Sequence, residues 1–183
     1  MTTVRVELLD VYCADTEDVT GADDFYLVGA LVGGGATKGI LTRPVKINDN
    51  QQKSFYPEDS LLFEGVLYPG ESIQGGLKAY DEDAGKDWSR HGETVQEITG
   101  YVSDALSLFG STGAIAGKIL SVATTGVGIL ATMDKDDLLG SAELEIPAIG
   151  PSYEILEWKM LETGTIGYST WDYTVRLQIS RRH

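Results

Sequence analysis

The sequence predicts an all-β protein: an antiparallel β-sandwich of eight strands, with an α-helical hairpin inserted between the fifth and sixth strands. Three observations lead to this prediction. Short segments alternate apolar and polar residues, as half-buried strands do. Turn signals separate these segments along a chain that contains 22 glycines. One internal stretch instead repeats its apolar residues every three or four positions, which is the period of a helix.

The eight predicted strands follow one another closely along the chain. In the first strand, Val4, Val6 and Leu8 alternate with polar residues, and the last strand alternates in the same way from Tyr173 to Ile179. The six strands between them are predicted at 25–32, 40–47, 61–67, 73–79, 142–146 and 153–161. Many short strands with turn signals between them are typical of an antiparallel sandwich.

The predicted helical insertion spans residues 84–133. The apolar positions of its first helix are Val95, Ile98, Val102, Ala105 and Phe109. A turn is predicted at 110–112, and the second helix has its apolar positions at Ile115, Ile119, Val122, Gly126 and Ile129. Thr94 followed by Glu97 fits a capping box at the start of the first helix.

Length and charge narrow the classes of protein to consider. A chain of 183 residues suits one domain, so residues 1–183 are predicted to form a single domain with the insertion inside it. The formal net charge is -14, which opposes binding to the nucleic acid backbone. The same charge repels an anionic membrane unless a bound cation reverses it locally. We therefore expect no nucleic acid partner.

The cysteine count and the first residues bear on the compartment. Cys13 is the only cysteine, so no disulfide can form within the chain, and thiolate metal sites are not expected. The first nine residues carry Arg5 and Glu7 and no apolar run, so no signal peptide is predicted. We expect a cytoplasmic protein that is able to associate peripherally with a membrane.

Acidic residues cluster in two places beside predicted strands. Between the first and second strands lie Asp15, Glu17, Asp18, Asp23 and Asp24. After the fifth strand come Asp81, Glu82, Asp83 and Asp87, and the insertion returns through Asp134, Asp136 and Asp137. Carboxylates held together repel one another, and a hard cation with oxygen ligands relieves that repulsion. Calcium, which takes six to eight oxygens from flexible loops, suits such a site better than magnesium.

Three motifs in these clusters resemble those of C2 domains. The segment 18–26, DVTGADDFY, is similar to the first calcium loop of that family, although Phe25 stands where the family usually has proline. The segment 77–83, LKAYDED, resembles the strand that enters the third calcium loop, and 137–141, DLLGS, resembles the exit of that loop. The family pattern does not contain the insertion, which separates Asp83 from Asp137. Because the chain begins with the strand that feeds the first calcium loop, the resemblance also implies the circularly permuted type II arrangement.

The resemblance implies a calcium-binding module that attaches to phospholipid membranes when calcium is present. Its metal ligands would be Asp18, Asp24, Asp81, Asp83 and Asp137, with Asp23 and Asp136 as candidates for further ligands. Two calcium ions are expected, because five carboxylates are more than one ion normally needs. The alternative is a calcium-stabilised structural or protein–protein assembly module that does not bind lipid. Solvated acidic loops without any ion also remain open.

The insertion itself allows three interpretations. It folds back onto the sandwich as ordinary core, docks into a membrane interface, or forms a contact with a partner or another copy. The candidates for membrane or partner contact are Val19, Trp88, Phe109, Ile115 and Ile119. The sequence does not indicate an oligomeric state.

Two further classes of site have little support in the sequence. The histidines, His91 and His183, belong to no catalytic constellation, so no enzyme and no catalytic residue is predicted. The run from Asp81 to Asp87 begins like an EF-hand, but Lys86 and Gly92 replace the required glycine and glutamate.

Overall fold

Antiparallel strands account for most of the structure. The computed structural model describes residues 1–17, 21–82, 88–109, 119, 121, 123, 137–163 and 170–183, with Leu108 and Phe109 described by their backbone alone. The strands are β1 (Thr2–Asp15), β2 (Asp23–Gly33), β3 (Ala36–Leu41), β4 (Val45–Ile47), β5 (Gln51–Lys53), β6 (Leu61–Leu67), β7 (Ser72–Asp81), β8 (Asp137–Pro147), β9 (Tyr153–Glu162) and β10 (Trp171–Arg182). The described helices are α1 (Pro57–Ser60), a 3₁₀ turn (Trp88–Arg90) and α2 (His91–Phe109).

The strands form two five-stranded antiparallel sheets. In sheet A the order is β5-β1-β10-β9, and β6 pairs with the part of β1 that β5 leaves free. In sheet B the order is β3-β2-β7-β8, and β4 pairs with the start of β2. The predicted antiparallel sandwich is therefore confirmed.

The number of strands differs from the predicted eight, since the described residues contain ten. The predicted strand 40–47 divides into β3 and β4, because Pro44 has no N–H to donate to a ladder. Thr42 instead binds β2 locally: its backbone N–H donates to Leu27 O at 2.9 Å, and Leu27 N–H donates to Thr42 Oγ1 at 2.9 Å. The second difference is β5, Gln51–Lys53, whose polar sequence carries no apolar pattern.

The main core lies between the two sheets. Alternate residues of β1 and β10, among them Val4, Val6, Val175 and Leu177, face inward and are at most 1% exposed. They pack against inward residues of sheet B such as Leu27. This alternation is the pattern from which the strands were predicted, so the sequence pattern agrees with the observed burial of side chains.

A second apolar layer covers the outer face of sheet B. Ile98 and Val102 of α2 pack on this face together with Tyr26 and Val28 of β2. Gly39 of β3 permits the close approach, because a Cβ there would lie 2.7 Å from Val95 O. The first helix of the predicted insertion thus lies against the sandwich, whereas the predicted hairpin turn and most residues of the predicted second helix lie outside the described residues.

The start of α2 differs from the predicted capping box. The helix begins at His91, so Thr94 lies inside its first turn. The Thr94 hydroxyl donates to Arg90 O at 3.1 Å instead of capping an N–H, and Glu93 binds Arg90 Nε at 2.7 Å. The capping-box interpretation is therefore wrong. Among the described residues, no helix has both the length and the apolar content needed to cross a membrane.

Candidate metal centre

Three of the five predicted ligands lie at the same end of sheet B. The ladder places Phe25 of β2 opposite Asp81 of β7, and Asp81 opposite Asp137 of β8. Asp24 immediately precedes Phe25. Adjacent strands lie about 5 Å apart, so these residues from distant parts of the sequence occupy one edge of the sandwich.

Asp24 and Asp81 are in direct contact. The backbone N–H of Asp24 donates to Oδ1 of Asp81 at 2.7 Å, and the N–H of Glu82 donates to Asp24 O at 3.2 Å. The Asp81 residue is only 2% exposed. Its carboxylate is therefore held by the fold at the end of β7, which is where the sequence predicts the entrance of the third calcium loop.

The other two carboxylates of this group face solvent more openly. The Asp24 side chain is 40% exposed, and its Oδ2 lies 3.9 Å from Nζ of Lys46 on β4. Asp137 is exposed at the start of β8. A cation approaching from solvent can reach these two side chains without unfolding a strand.

Asp23, proposed as a further ligand, is occupied within the core. Consecutive residues of a strand point to opposite faces, so Asp23 and Asp24 diverge. The Asp23 residue is 1% exposed, accepts a hydrogen bond from the Tyr173 hydroxyl, and accepts another from Glu17 N–H at 2.8 Å. These contacts show Asp23 joining the two sheets.

The remaining predicted ligands, Asp18, Asp83 and Asp136, lie outside the described residues, as do Val19 and Ile115. Within the described ranges, no three His, Cys, Asp or Glu side chains lie close enough together to hold one metal ion. The described donors at this end are all oxygens, which suits a hard cation such as calcium in chemical type. Completing a calcium site would require ligands from the adjoining segments 18–20, 83–87 or 134–136.

Asp49 is a functional candidate that the sequence analysis did not identify. It follows β4 and accepts hydrogen bonds from Thr16 N–H at 2.9 Å and Thr16 Oγ1 at 2.8 Å. These bonds hold the pKa of its carboxyl below the ordinary value of 3.8. Asp49 thereby fixes the residue that follows β1, where the first acidic segment begins. The run Asn48-Asp49-Asn50 signals a turn, but nothing in it indicates which segment the carboxylate would bind.

The candidates for membrane or partner contact are placed as follows. Trp88 packs edge-on against Tyr26, with ring centroids 5.4 Å apart, and its Nε1 donates to Glu82 Oε2 at 3.0 Å. Ile119 is 2% exposed and belongs to the apolar layer on sheet B. Phe109 ends α2, and its side chain is outside the described part.

Comparison with known proteins finds likeness in structure only. No protein-family model and no curated protein sequence matches the chain. A solved structure described as that of a C2 domain has a TM-score of 0.43 and 13% identity, with all of both chains covered. Human GIVD cytosolic phospholipase A2, solved in complex with methyl gamma-linolenyl fluorophosphonate, has a TM-score of 0.44 and 11% identity. The match covers 98% of this chain but only 17% of that enzyme's chain. At these values the likeness assigns no ligand and no activity to this chain.

Proposed function

We propose that this chain is a calcium-binding module of the C2 type that attaches to phospholipid membranes when calcium is bound. The observation that carries the proposal is the contact of Asp24 with Asp81, beside Asp137, at one end of sheet B. These three residues were predicted from separate motifs. The type II arrangement remains part of this proposal.

The proposed site combines described and undescribed residues. Asp24, Asp81 and Asp137 would supply carboxylate oxygens, and Asp18 and Asp83 would complete the set from the adjoining segments. Two ions remain our expectation. Bound calcium would supply positive charge at this end of the molecule, where the proposed ligands are all carboxylates.

The mechanism of attachment would be electrostatic. The chain carries a formal net charge of -14, so an anionic lipid surface repels it in the absence of the ion. Calcium reduces that repulsion at the loop end and offers coordination positions to lipid phosphate oxygens. This proposal describes a binding module and assigns no catalytic step.

Calcium titration by calorimetry tests the site directly. Asp24→Asn removes a half-exposed carboxylate and keeps the backbone N–H that binds Asp81, so its fold should persist. We expect calcium to bind the wild-type chain and to bind Asp24→Asn at least tenfold more weakly, since the charge of one proposed ligand is lost. Glu143→Gln is the matched control, because Glu143 is an exposed carboxylate in the middle of β8. Equal calcium affinity in all three proteins, or no binding to the wild type, would contradict the proposal.

A second candidate function is the calcium-stabilised assembly module that does not bind lipid. It is favoured by the state of the basic residues on β3, β4 and the link between them. Lys38 donates to Leu61 O, Arg43 binds Asp59 Oδ2 at 3.0 Å, and Lys46 lies 3.9 Å from Asp24. These cations are therefore already engaged with protein oxygens.

Sedimentation with vesicles separates the two functions. The lipid-binding module should pellet with vesicles of phosphatidylserine and phosphatidylcholine in calcium and stay in solution with chelator. The assembly module should gain melting temperature in calcium and remain in the supernatant under both conditions.

A further inference from the structure

In the part of the chain that the structure describes, β9 is an edge strand of sheet A. Among the described residues it pairs with β10 alone, so its other side leaves backbone N–H and C=O groups without a ladder partner. Its outward side chains are all exposed: Tyr153, Ile155, Glu157, Lys159 and Leu161. Ile155 is 39% and Leu161 63% exposed. A long edge strand with exposed apolar residues is a template for pairing with another strand.

The sequence of β9 complements itself when it is read antiparallel. If two copies meet about Trp158, each Glu157 faces the other copy's Lys159, and each Ile155 faces the other copy's Leu161. On the inner face, Leu156 then faces Met160. Opposite charges and apolar pairs placed directly across a ladder stabilise pairing.

We propose that two copies of this chain associate through β9, in antiparallel register about Trp158, so that their two A sheets become one continuous sheet. The occupant of the edge is thus a second copy of the chain. The two-fold symmetry of the strand's own charge pattern carries this inference.

Neighbouring registers on the same face are disfavoured by the same charges. Moving the partner by two residues in one direction places Lys159 opposite Lys159. Moving it by two in the other direction places Glu157 opposite Glu157. Like charges directly opposite destabilise a sheet, so only the register about Trp158 pairs every Lys159 with a Glu157.

The charges that surround this edge are compatible with the register. Glu157 lies opposite Arg176 within its own sheet, and Arg176 Nε is held by Asp10 Oδ1 at 2.8 Å. Lys159 lies opposite Thr174, and within the described part of the chain it has no acidic partner of its own. The register also brings Glu154 opposite Glu162, but Arg181 binds Glu154 at 3.1 Å and offsets that charge.

The global charge of -14 on each chain opposes association. At physiological salt the screening length is about 8 Å, so this repulsion between distant charges is largely removed. Contacts across a ladder lie closer than that and keep their effect. The dimer should therefore strengthen as salt rises from millimolar to physiological concentration.

Sedimentation velocity over a concentration series tests the dimer with a charge exchange. Wild type should show a monomer–dimer equilibrium. Lys159→Glu should raise the dimer Kd roughly tenfold or more, because two attractive pairs become repulsive. Glu157→Lys combined with Lys159→Glu should bring the Kd back toward wild type. Lys53→Glu is the control, since it changes the net charge equally on the exposed strand β5 and should leave the Kd unchanged.

Cysteine cross-linking tests the register. Ile155→Cys combined with Leu161→Cys should form an oxidised dimer, and each single variant should not. The two positions are about 20 Å apart within one strand, so they cannot form a disulfide in the same chain.

Three results would overturn the proposal: a wild type that is monomeric at all concentrations, a Kd for Lys159→Glu equal to that of wild type, or a double exchange that fails to restore association. None of these results depends on calcium, so the dimer can fail without affecting the proposed metal site.

Discussion

Tyr173 of β10 donates its phenolic hydrogen to the buried carboxylate of Asp23 on β2, and this bond connects the two sheets through the core. Both residues are at most 1% exposed. The carboxylate also accepts from Glu17 N–H at 2.8 Å, so the bond extends to the segment that follows β1. Removing a donor from a buried acceptor of this kind lowers the free energy of unfolding.

Tyr173→Phe should therefore lower the free energy of unfolding by about 1–3 kcal/mol, because it removes a hydrogen-bond donor from a buried carboxylate and leaves the ring in place. Urea denaturation monitored by fluorescence measures this change. Tyr68→Phe is the matched control, since Tyr68 is 58% exposed and should shift stability by less than about 0.5 kcal/mol. Equal effects of the two substitutions would contradict the role of the Tyr173 hydroxyl.

Alkaline pH should destabilise the fold through two groups in this region. Burial raises the pKa of the Cys13 thiol from 9.0 to about 12, and burial with the bond to Asp23 raises the pKa of Tyr173 above its ordinary 10.0. The unfolded chain loses these protons first, so the stabilising contribution is complete below pH 9 and is lost as pH rises toward the folded values. Each group contributes a slope of up to about 1.4 kcal/mol per pH unit.

Urea midpoints from pH 7 to pH 11 measure that slope. Cys13→Ala should be less stable at pH 7, because it leaves a small cavity, and its stability should decline less steeply above pH 9. Parallel pH profiles for wild type and Cys13→Ala would show that Cys13 does not titrate as inferred.

The packing of α2 on sheet B depends on Gly39. A Cβ at this position would meet Val95 O at 2.7 Å and Thr99 N at 2.8 Å, both backbone atoms of α2. The Gly39 N–H also donates to Thr99 Oγ1 at 2.8 Å. Gly39→Ala should therefore push α2 away and cost about 1–3 kcal/mol, with faster hydrogen exchange of the amides in 91–109.

Gly100→Ala, on the same helix, should have the opposite effect on hydrogen exchange. Gly100 is exposed, and a Cβ there would meet nothing within 4 Å. Alanine in a helix interior is favoured over glycine by about 1 kcal/mol, so exchange across α2 should slow. If both alanine substitutions change exchange in the same direction, the packing account of Gly39 is incorrect.

The fold was predictable where burial imposes a period on the sequence. β1 and β10 each have one face in the core, and their alternation was visible from Val4 to Leu8 and from Tyr173 to Ile179. β5 was missed because Gln51–Lys53 is exposed throughout, so its pairing with β1 leaves no apolar period in the sequence. The start of α2 was misplaced because the Thr94 hydroxyl donates to Arg90 O, one turn earlier in the chain. The sequence pattern of a capping box does not distinguish such a threonine from one that caps a helix N-terminus.

The prediction of the candidate site relied on motif resemblance and not on a burial pattern. Asp24, Asp81 and Asp137 were named from motif resemblance, and the ladder does place them at one edge. The interior role of Asp23 was not predictable, because its partner Tyr173 lies 150 residues away in the sequence. Asp49 was missed for the same reason: its bonds to Thr16 span 33 residues.

The last prediction concerns Lys46, whose Nζ lies 3.9 Å from Asp24 Oδ2 and would compete with a bound cation for that carboxylate. If Asp24 is a calcium ligand, Lys46→Gln should raise calcium affinity, since the ion no longer displaces a neighbouring charge. The pair is exposed, so the gain should be modest, up to about fivefold. Arg182→Gln is the control, because it removes one positive charge at the opposite end of β10. Calorimetric titration should show tighter binding for Lys46→Gln than for Arg182→Gln, and equal affinities would remove Asp24 from the ligand set.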